Sequence, residues 1–271
     1  MKSKQVMVMG GFDDIRSRDL RLLEEAAKLG ELTVLLWPDE DLERFTGRPP
    51  KFPLAERLYF LEAVRYVSDV VPVGGLIHPD ELPEGSHAHI WADVEAGANP
   101  DRENFCREAH ITYRVFKAEE LKGFPEPPPK PSVSGAKKVV VTGSFDWFHS
   151  GHVRFLEEVS HQGDLYVIVG HDANIRLLKG RGHPLLPQDE RRYVVGSIKF
   201  VKQALISSGS GWLDADPEIR RLKPDIYVVN EDGDKGGKRK YCRDLGIEYL
   251  VLKRTPAPGL PGRSSTVLRG F

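Results

Sequence analysis

The chain repeats itself, and the repeat dictates what it can fold into. Residues 6–36 read VMVMGGFDDIRSRDLRLLEEAAKLGELTVLL, and residues 139–169 read VVVTGSFDWFHSGHVRFLEEVSHQGDLYVIV. Gly10-Gly11-Phe12-Asp13 falls on Gly143-Ser144-Phe145-Asp146, and Leu23-Glu24-Glu25 on Leu156-Glu157-Glu158. After a one-residue offset Glu56-Arg57 pairs with Glu190-Arg191, and Val64-Arg65-Tyr66-Val67 with Ile198-Lys199-Phe200-Val201. Ile90-Trp91 then meets Ile226-Tyr227, Cys106-Arg107 meets Cys242-Arg243, and Lys117 meets Lys253. Agreement in order over separated blocks marks a duplication.

Each copy reads strand, helix, strand, helix, strand, helix, strand. That alternation predicts parallel strands with helical crossovers, a doubly wound α/β sheet. Strand signals in the second copy run over 138–142, 165–169, 226–229 and 249–252, and a helix signal runs over 187–201 with Asp189 and Glu190 in its early turns. Between the copies, residues 123–135 hold five prolines, a composition that favours extended, semi-rigid spacers. The expected organisation is a first domain over 1–122, a linker over 123–135 and a second domain over 136–271.

A length of 271 residues accommodates two cores, and 40% apolar with 29% charged residues describes a globular chain. The net charge of −1 gives no field to attract nucleic acid or an anionic membrane, so any anion binding is local. No apolar run reaches the 18 residues of a membrane span, and no secretory leader is expected from the residues before the first strand. Cys106 and Cys242 lie far apart with no metal-type spacing, which suggests a reducing compartment. The expected location is the cytoplasm.

The chemistry concentrates where the second copy's first strand gives way to a helix. Gly143-Ser144-Phe145-Asp146-Trp147-Phe148-His149-Ser150-Gly151-His152 places two histidines at a helix start behind a glycine-containing turn. Unpaired N–H groups at a helix start and imidazole donors together suit a phosphate. This string resembles the H-x-G-H signature of the nucleotidyltransferase superfamily, in particular G-x-F-D-x-x-H-x-G-H of its cytidylyltransferase branch. The resemblance implies tandem Rossmann-like nucleotidyltransferase domains, an arrangement similar to that of ethanolamine-phosphate cytidylyltransferases. It implies that His149 and His152 meet the α- and β-phosphates, with Gly143, Ser144, Phe145, Asp146 and Gly151 shaping the nucleotide site.

Other segments of the second copy extend the resemblance. Gly262-Arg263-Ser264-Ser265-Thr266-Val267-Leu268-Arg269 is similar to the superfamily's second signature, which implies β- and γ-phosphate contacts from Arg263, Ser264, Ser265 and Thr266. Arg254-Thr255 resembles the start of R-T-x-G-x-S-T, although residues 256–262 intervene before the serines. Lys179 matches a lysine that grips phosphate, in the loop expected after the second strand. Arg191 matches an arginine at phosphates. Asp232 matches an acidic residue near the base, with Asn230 where a glycine is usual.

In the first copy, Arg16-Ser17-Arg18-Asp19 replaces the histidine string, so that copy is expected to be catalytically silent and to pack on the second as a pseudo-subunit. For the second copy the resemblance implies transfer of a cytidylyl group from CTP to a small phosphorylated alcohol, of the ethanolamine phosphate or glycerol phosphate class, with release of pyrophosphate. Mg2+ is expected to enter with the triphosphate. Asp146 is expected to orient a histidine or bind the hydrated ion. The alternatives are adenylyl transfer from ATP, favoured by the Ser264 to Arg269 tail but not by Trp147 where that branch has proline, and a regulatory nucleotide-binding protein.

Overall fold

The computed structural model describes residues 3–75, 78–83, 85–131 and 134–268. Arg269 and part of the proline-rich segment lie outside them. The chain forms two compact units, Met1–Phe124 and Pro125–Phe271.

In the first unit the elements run β1 (Gln5–Gly10), α1 (Ser17–Ala27), β2 (Glu31–Leu36), α2 (Asp39–Thr46), α3 (Leu54–Glu62), β3 (Asp69–Pro72), β4 (Ile90–Val94), α4 (Pro100–Glu108) and β5 (Thr112–Phe116). The second runs β6 (Lys138–Gly143), α5 (Ser150–Ser160), β7 (Asp164–Val169), α6 (Asp172–Lys179), α7 (Gln188–Gly196), β8 (Val201–Ile206), α8 (Asp216–Leu222), β9 (Ile226–Asn230), α9 (Lys238–Leu245), β10 (Glu248–Leu252) and a last turn of helix, α10 (Ser265–Leu268). The sheet orders are β3-β2-β1-β4-β5 and β10-β9-β6-β7-β8, which are the same order counted within each unit. All pairings are parallel. Both units are Rossmann-like, doubly wound sheets.

Parallel strands covered on both faces read as continuous apolar runs rather than alternating ones. Val139, Val140 and Val141 are accordingly all fully buried, as are Leu156 and Val159 on the inner face of α5. Each sheet has five strands, one more than the periodicity announces. The extra strand is β8, with its counterpart β3, at the sheet edge. The expected helix over 187–201 stops at Gly196, and the chain turns through Ser197 and Ile198 into β8.

The segment read as a free spacer is partly structural. Pro127 is buried against Gly196, where an added Cβ would lie 3.3 Å from its ring, and the Lys130 N–H faces the Lys202 carbonyl on the outer edge of β8 at 3.5 Å. A proline segment along an exposed strand edge blocks further strand pairing.

The topology also positions a crevice. Strand β6 pairs with β7 along its whole length, but with β9 only at Val139↔Ile226 and Val140↔Tyr227. The two central strands therefore part toward their carboxyl ends, at the point where strand order reverses. Ligands of such sheets sit there.

Candidate active site

At the end of β6 the backbone turns sharply. Phe145 has φ +48°, a conformation unfavourable for an aromatic residue, and its counterpart Phe12 has φ +47°. The turn folds the Phe145 ring over Gly143, where a Cβ would stand 2.9 Å from it, so glycine at this position has a packing reason. The chain then enters α5 with His149 as N-cap. His149 Nδ1 accepts from the Gly151 N–H at 3.1 Å, which places the proton of the neutral ring on Nε2.

His152, one turn into α5, stacks on Phe148 with ring centroids 5.2 Å apart and lies 4.0 Å from the His149 ring. His149 Nε2 and His152 Nδ1 are buried and have no hydrogen-bond partner among the described residues. Burial, followed by the charges of Arg254 and Arg263, holds His149 down to about 4. Burial also lowers His152 well below the usual range, helped by His149, Arg254 and Lys179. The pair is therefore neutral near pH 7, ringed by cations, with a donor from Nε2 of His149 unspent.

Lys179 is not in a loop. It ends α6, and its Nζ donates to Ser144 Oγ at 2.8 Å, so the ammonium leans over the turn beside the histidines. Across the crevice Arg254 braces three segments. It donates to Asp232 Oδ2 at 2.7 Å and to the Arg263 carbonyl at 2.8 Å, while its backbone N–H reaches Glu231 Oε1 at 3.3 Å. Asp232, an exposed residue, is thus engaged by an arginine through Oδ2. The stretch 256–262 folds into a compact turn with Ala257 buried and Leu260 N–H bonded to its carbonyl. That turn returns the chain to α5, so Arg263 O lies 3.7 Å from the site of a Gly151 Cβ and Ser265 Oγ donates to Trp147 O at 3.1 Å. Thr266 is exposed on α10.

Two residues read as nucleotide contacts are placed otherwise. Arg191 is fully buried, and its guanidinium donates to the carbonyls of Leu186, Ser144 and Gly170 and to Asp172. Arg57 of the first unit makes the same set, to Phe52, Gly11, Trp37 and Asp39. Asp146 Oδ1 accepts the Leu185 and Leu186 N–H groups, as Asp13 accepts those of Lys51 and Phe52. Both side chains tie the loop before α7, or α3, to the strand-end turn. Burial and bonding of this kind are invisible in a linear motif.

A cleft of about 240 Å³ opens between α5 and the segments after β10, with Gly151, Phe155 and Glu158 on one wall and Lys253, Arg254 and Arg263 on the other. Phe155, Glu158 and Lys253 were not singled out from the sequence. Their signal is the i, i+4, i+7 spacing from Gly151, which puts the first two on one helix face.

In the first unit Asp19 occupies the position of His152. It accepts the Arg16 N–H at 2.8 Å, and burial raises its carboxyl above the usual range. Arg16 and Lys51 both donate to Asp14, each at 2.8 Å. Carboxylates of the chain itself stand among these cations.

A parted pair of parallel strands, a helix opening on two neutral imidazoles and a surrounding ring of cations define a nucleotidyl-transferring site. Residues 140–254 match the cytidylyltransferase-like family, and the chain belongs to it. The match spans part of one unit, so it supports the broad family rather than a tandem ethanolamine-phosphate enzyme. Among its relatives is the FAD synthase of Ferroglobus placidus, 38% identical over 120 residues, which are 43% of this chain and 75% of that one. The FAD synthase of Methanospirillum hungatei is 42% identical over 131 residues, 47% of this chain and 80% of that one. A solved structure, the lipopolysaccharide core biosynthesis protein of Thermoplasma volcanium, is 25% identical with a TM-score of 0.39, covering 45% of this chain and 99% of that one.

These relatives overturn the expectation of CTP and a phosphorylated small alcohol. Their named product carries an adenylyl group, so the weighed alternative, adenylyl transfer from ATP, is the better supported. The signature at the histidines does not separate the two because it handles phosphates, which both nucleotides share. Among the described residues, no helix is long and apolar enough to cross a membrane.

Proposed function

We propose that the second unit transfers the adenylyl group of ATP to FMN, forming FAD and pyrophosphate. The observation that carries this reading is the pair of unpartnered imidazole nitrogens at the start of α5, taken with the FAD synthase relatives. FAD is FMN and AMP joined through a pyrophosphate, so a phosphate oxygen of FMN attacks the α-phosphorus of ATP in line. The bond from that phosphorus to the bridging oxygen of the β-phosphate breaks, and pyrophosphate leaves with the electron pair. No protein nucleophile is required, and catalysis is alignment plus stabilisation of charge.

His149 donates from Nε2 to a non-bridging oxygen of the α-phosphate, and His152 meets the bridging side. Lys179 leaves Ser144 to follow the charge onto the leaving phosphates. Arg263, Ser264 and Ser265 face the triphosphate from the opposite wall, and Arg254 holds that wall in place. Among the described residues no cluster of three His, Cys, Asp or Glu side chains forms a metal cage. Magnesium enters as part of the substrate in this reading, on phosphate oxygens and water. The first unit performs no turnover in this reading, because Asp19 replaces His152 and Asp14 occupies the cations Arg16 and Lys51.

The test is chromatographic detection of FAD from FMN and ATP with magnesium, using the full chain and His152→Ala, with CTP in parallel. FAD formed by the wild type and lost in the variant is the expected result. Release of no pyrophosphate from ATP, or full activity in the variant, overturns the proposal.

A further inference from the structure

We propose that Glu158 reads the purine, accepting a hydrogen bond from the exocyclic amine of adenine; the inference rests on the adenylyl reading above. Gly151, Phe155 and Glu158 recur at i, i+4 and i+7 and form one wall of the 240 Å³ cleft. Seven residues of helix advance about 10 Å at 1.5 Å each. That face begins at Gly151, where a Cβ would lie 3.0 Å from the His149 ring, and reaches Glu158 about one nucleoside length away. Between them lies the Phe155 side chain, which is largely buried and gives the cleft an apolar wall.

The carboxylate is fixed and has capacity left. Arg154 holds Oε1 from one turn earlier at 2.8 Å, and the Glu158 side chain is 24% exposed. Among the described residues nothing donates to Oε2, so that oxygen remains to accept. An ionised carboxylate only accepts hydrogen bonds. It favours a base edge that presents N–H and opposes one that presents a carbonyl. Adenine presents an amine at its six-position and hypoxanthine a carbonyl, so the cleft distinguishes ATP from ITP. Cytosine also carries an amine, but its single ring, held at the same phosphates, stops short of Glu158. Glutamine at this position presents either a carbonyl or an amide N–H and accommodates both purines.

Calorimetric titration of the full chain with the magnesium complexes of ATP, ITP and CTP, without FMN, tests the assignment against Glu158→Gln. The wild type is expected to prefer ATP over ITP by about tenfold, the scale of one hydrogen bond to a charged group. The variant should bring the ATP to ITP ratio close to unity and leave CTP binding unchanged. Thermal melting should move little, since the glutamine still accepts from Arg154 and one i,i+4 helix pair contributes little. An unchanged ratio, or equal losses for ATP, ITP and CTP, overturns the role of Glu158. Wild-type protein that binds no ATP overturns the adenylyl reading itself, whereas wild-type ATP binding with an unchanged ratio overturns Glu158 alone.

Discussion

Replacing Arg191 with methionine separates architecture from catalysis. Methionine keeps an unbranched apolar stem in the space of the arginine but removes every donor. The guanidinium satisfies three carbonyls and pairs with Asp172 at 2.7 Å. Hydrogen bonds from a charged group contribute about 1.5–3 kcal/mol each, and losing one member of a buried ion pair costs about 3–5 kcal/mol. Asp172 is 29% exposed and recovers water when its partner goes, so the bonds do not add in full. A loss of about 4 kcal/mol corresponds to a fall of about 8–16 °C in the melting temperature of a unit this size. Circular dichroism melting of the full chain reads it. Arg57→Met should lower stability comparably, because its partners are equivalent. ATP binding, measured by calorimetry below the lowered transition, should survive Arg191→Met. Unchanged melting with lost ATP affinity would refute the architectural role and return Arg191 to the phosphates.

His149→Ala and His152→Ala should each lower kcat by about 10²–10³-fold in FAD formation, the range for one donor lost from a developing charge. Their effect on the affinity for ATP should be smaller. His149 also makes stability pH-dependent. Above its unfolded value of 6.5 neither state holds a proton, while between 6.5 and about 4 the unfolded chain binds one that the folded chain refuses. Stability should therefore fall as pH drops through that window, by on the order of 3 kcal/mol. Urea melts across pH should show His149→Asn reducing this loss, while the share carried by His152 remains. Burial pushes the thiols of Cys106 and Cys242 up to about 11, so neither should react with a thiol reagent at about pH 8 until denaturant is added.

The duplication was legible because strand and helix periodicity survives substitution, and because Phe12-Asp13 and Phe145-Asp146 bracket the same turn. Strands β3 and β8 were not legible, since short edge segments such as Val201–Ile206 carry little pattern and follow a helix without a proline or glycine cluster. At the site, His149 and His152 were readable from their spacing in a helix start. Asp146, through Oδ1, and Arg191 are engaged by backbone groups of the loop before α7 and the strand ends. A charged side chain near a phosphate loop looks like a ligand, and only coordinates show it spent on backbone groups. The base was beyond reach of the motif, because the residues lining the cleft come from α5 and from the turn after β10, more than ninety positions apart in the chain.

The first unit acts as an internal control for these assignments. What both units retain belongs to the fold: the left-handed phenylalanine, the aspartate that anchors the loop, the four-bonded arginine and the buried cysteine after the fourth strand. What the second unit holds alone is assigned to the chemistry by the proposed adenylyl transfer. Positions 149, 152, 179 and 254 are His, His, Lys and Arg, whereas the matching 16, 19, 46 and 118 are Arg, Asp, Thr and Ala. A triphosphate on the first unit would lack the lysine and the bracing arginine, and its charge would be met by Asp14 and Asp19. Each carboxylate beside a bound phosphate opposes it, and Asp19 sits where a donor is needed at the helix start. Reverting Asp19→His alone would therefore not restore nucleotide binding, since Asp14 would still compensate Arg16 and Lys51. Titration of Asp19→His with ATP should show no gain over the His152→Ala background, and a second binding site appearing there would refute the charge argument.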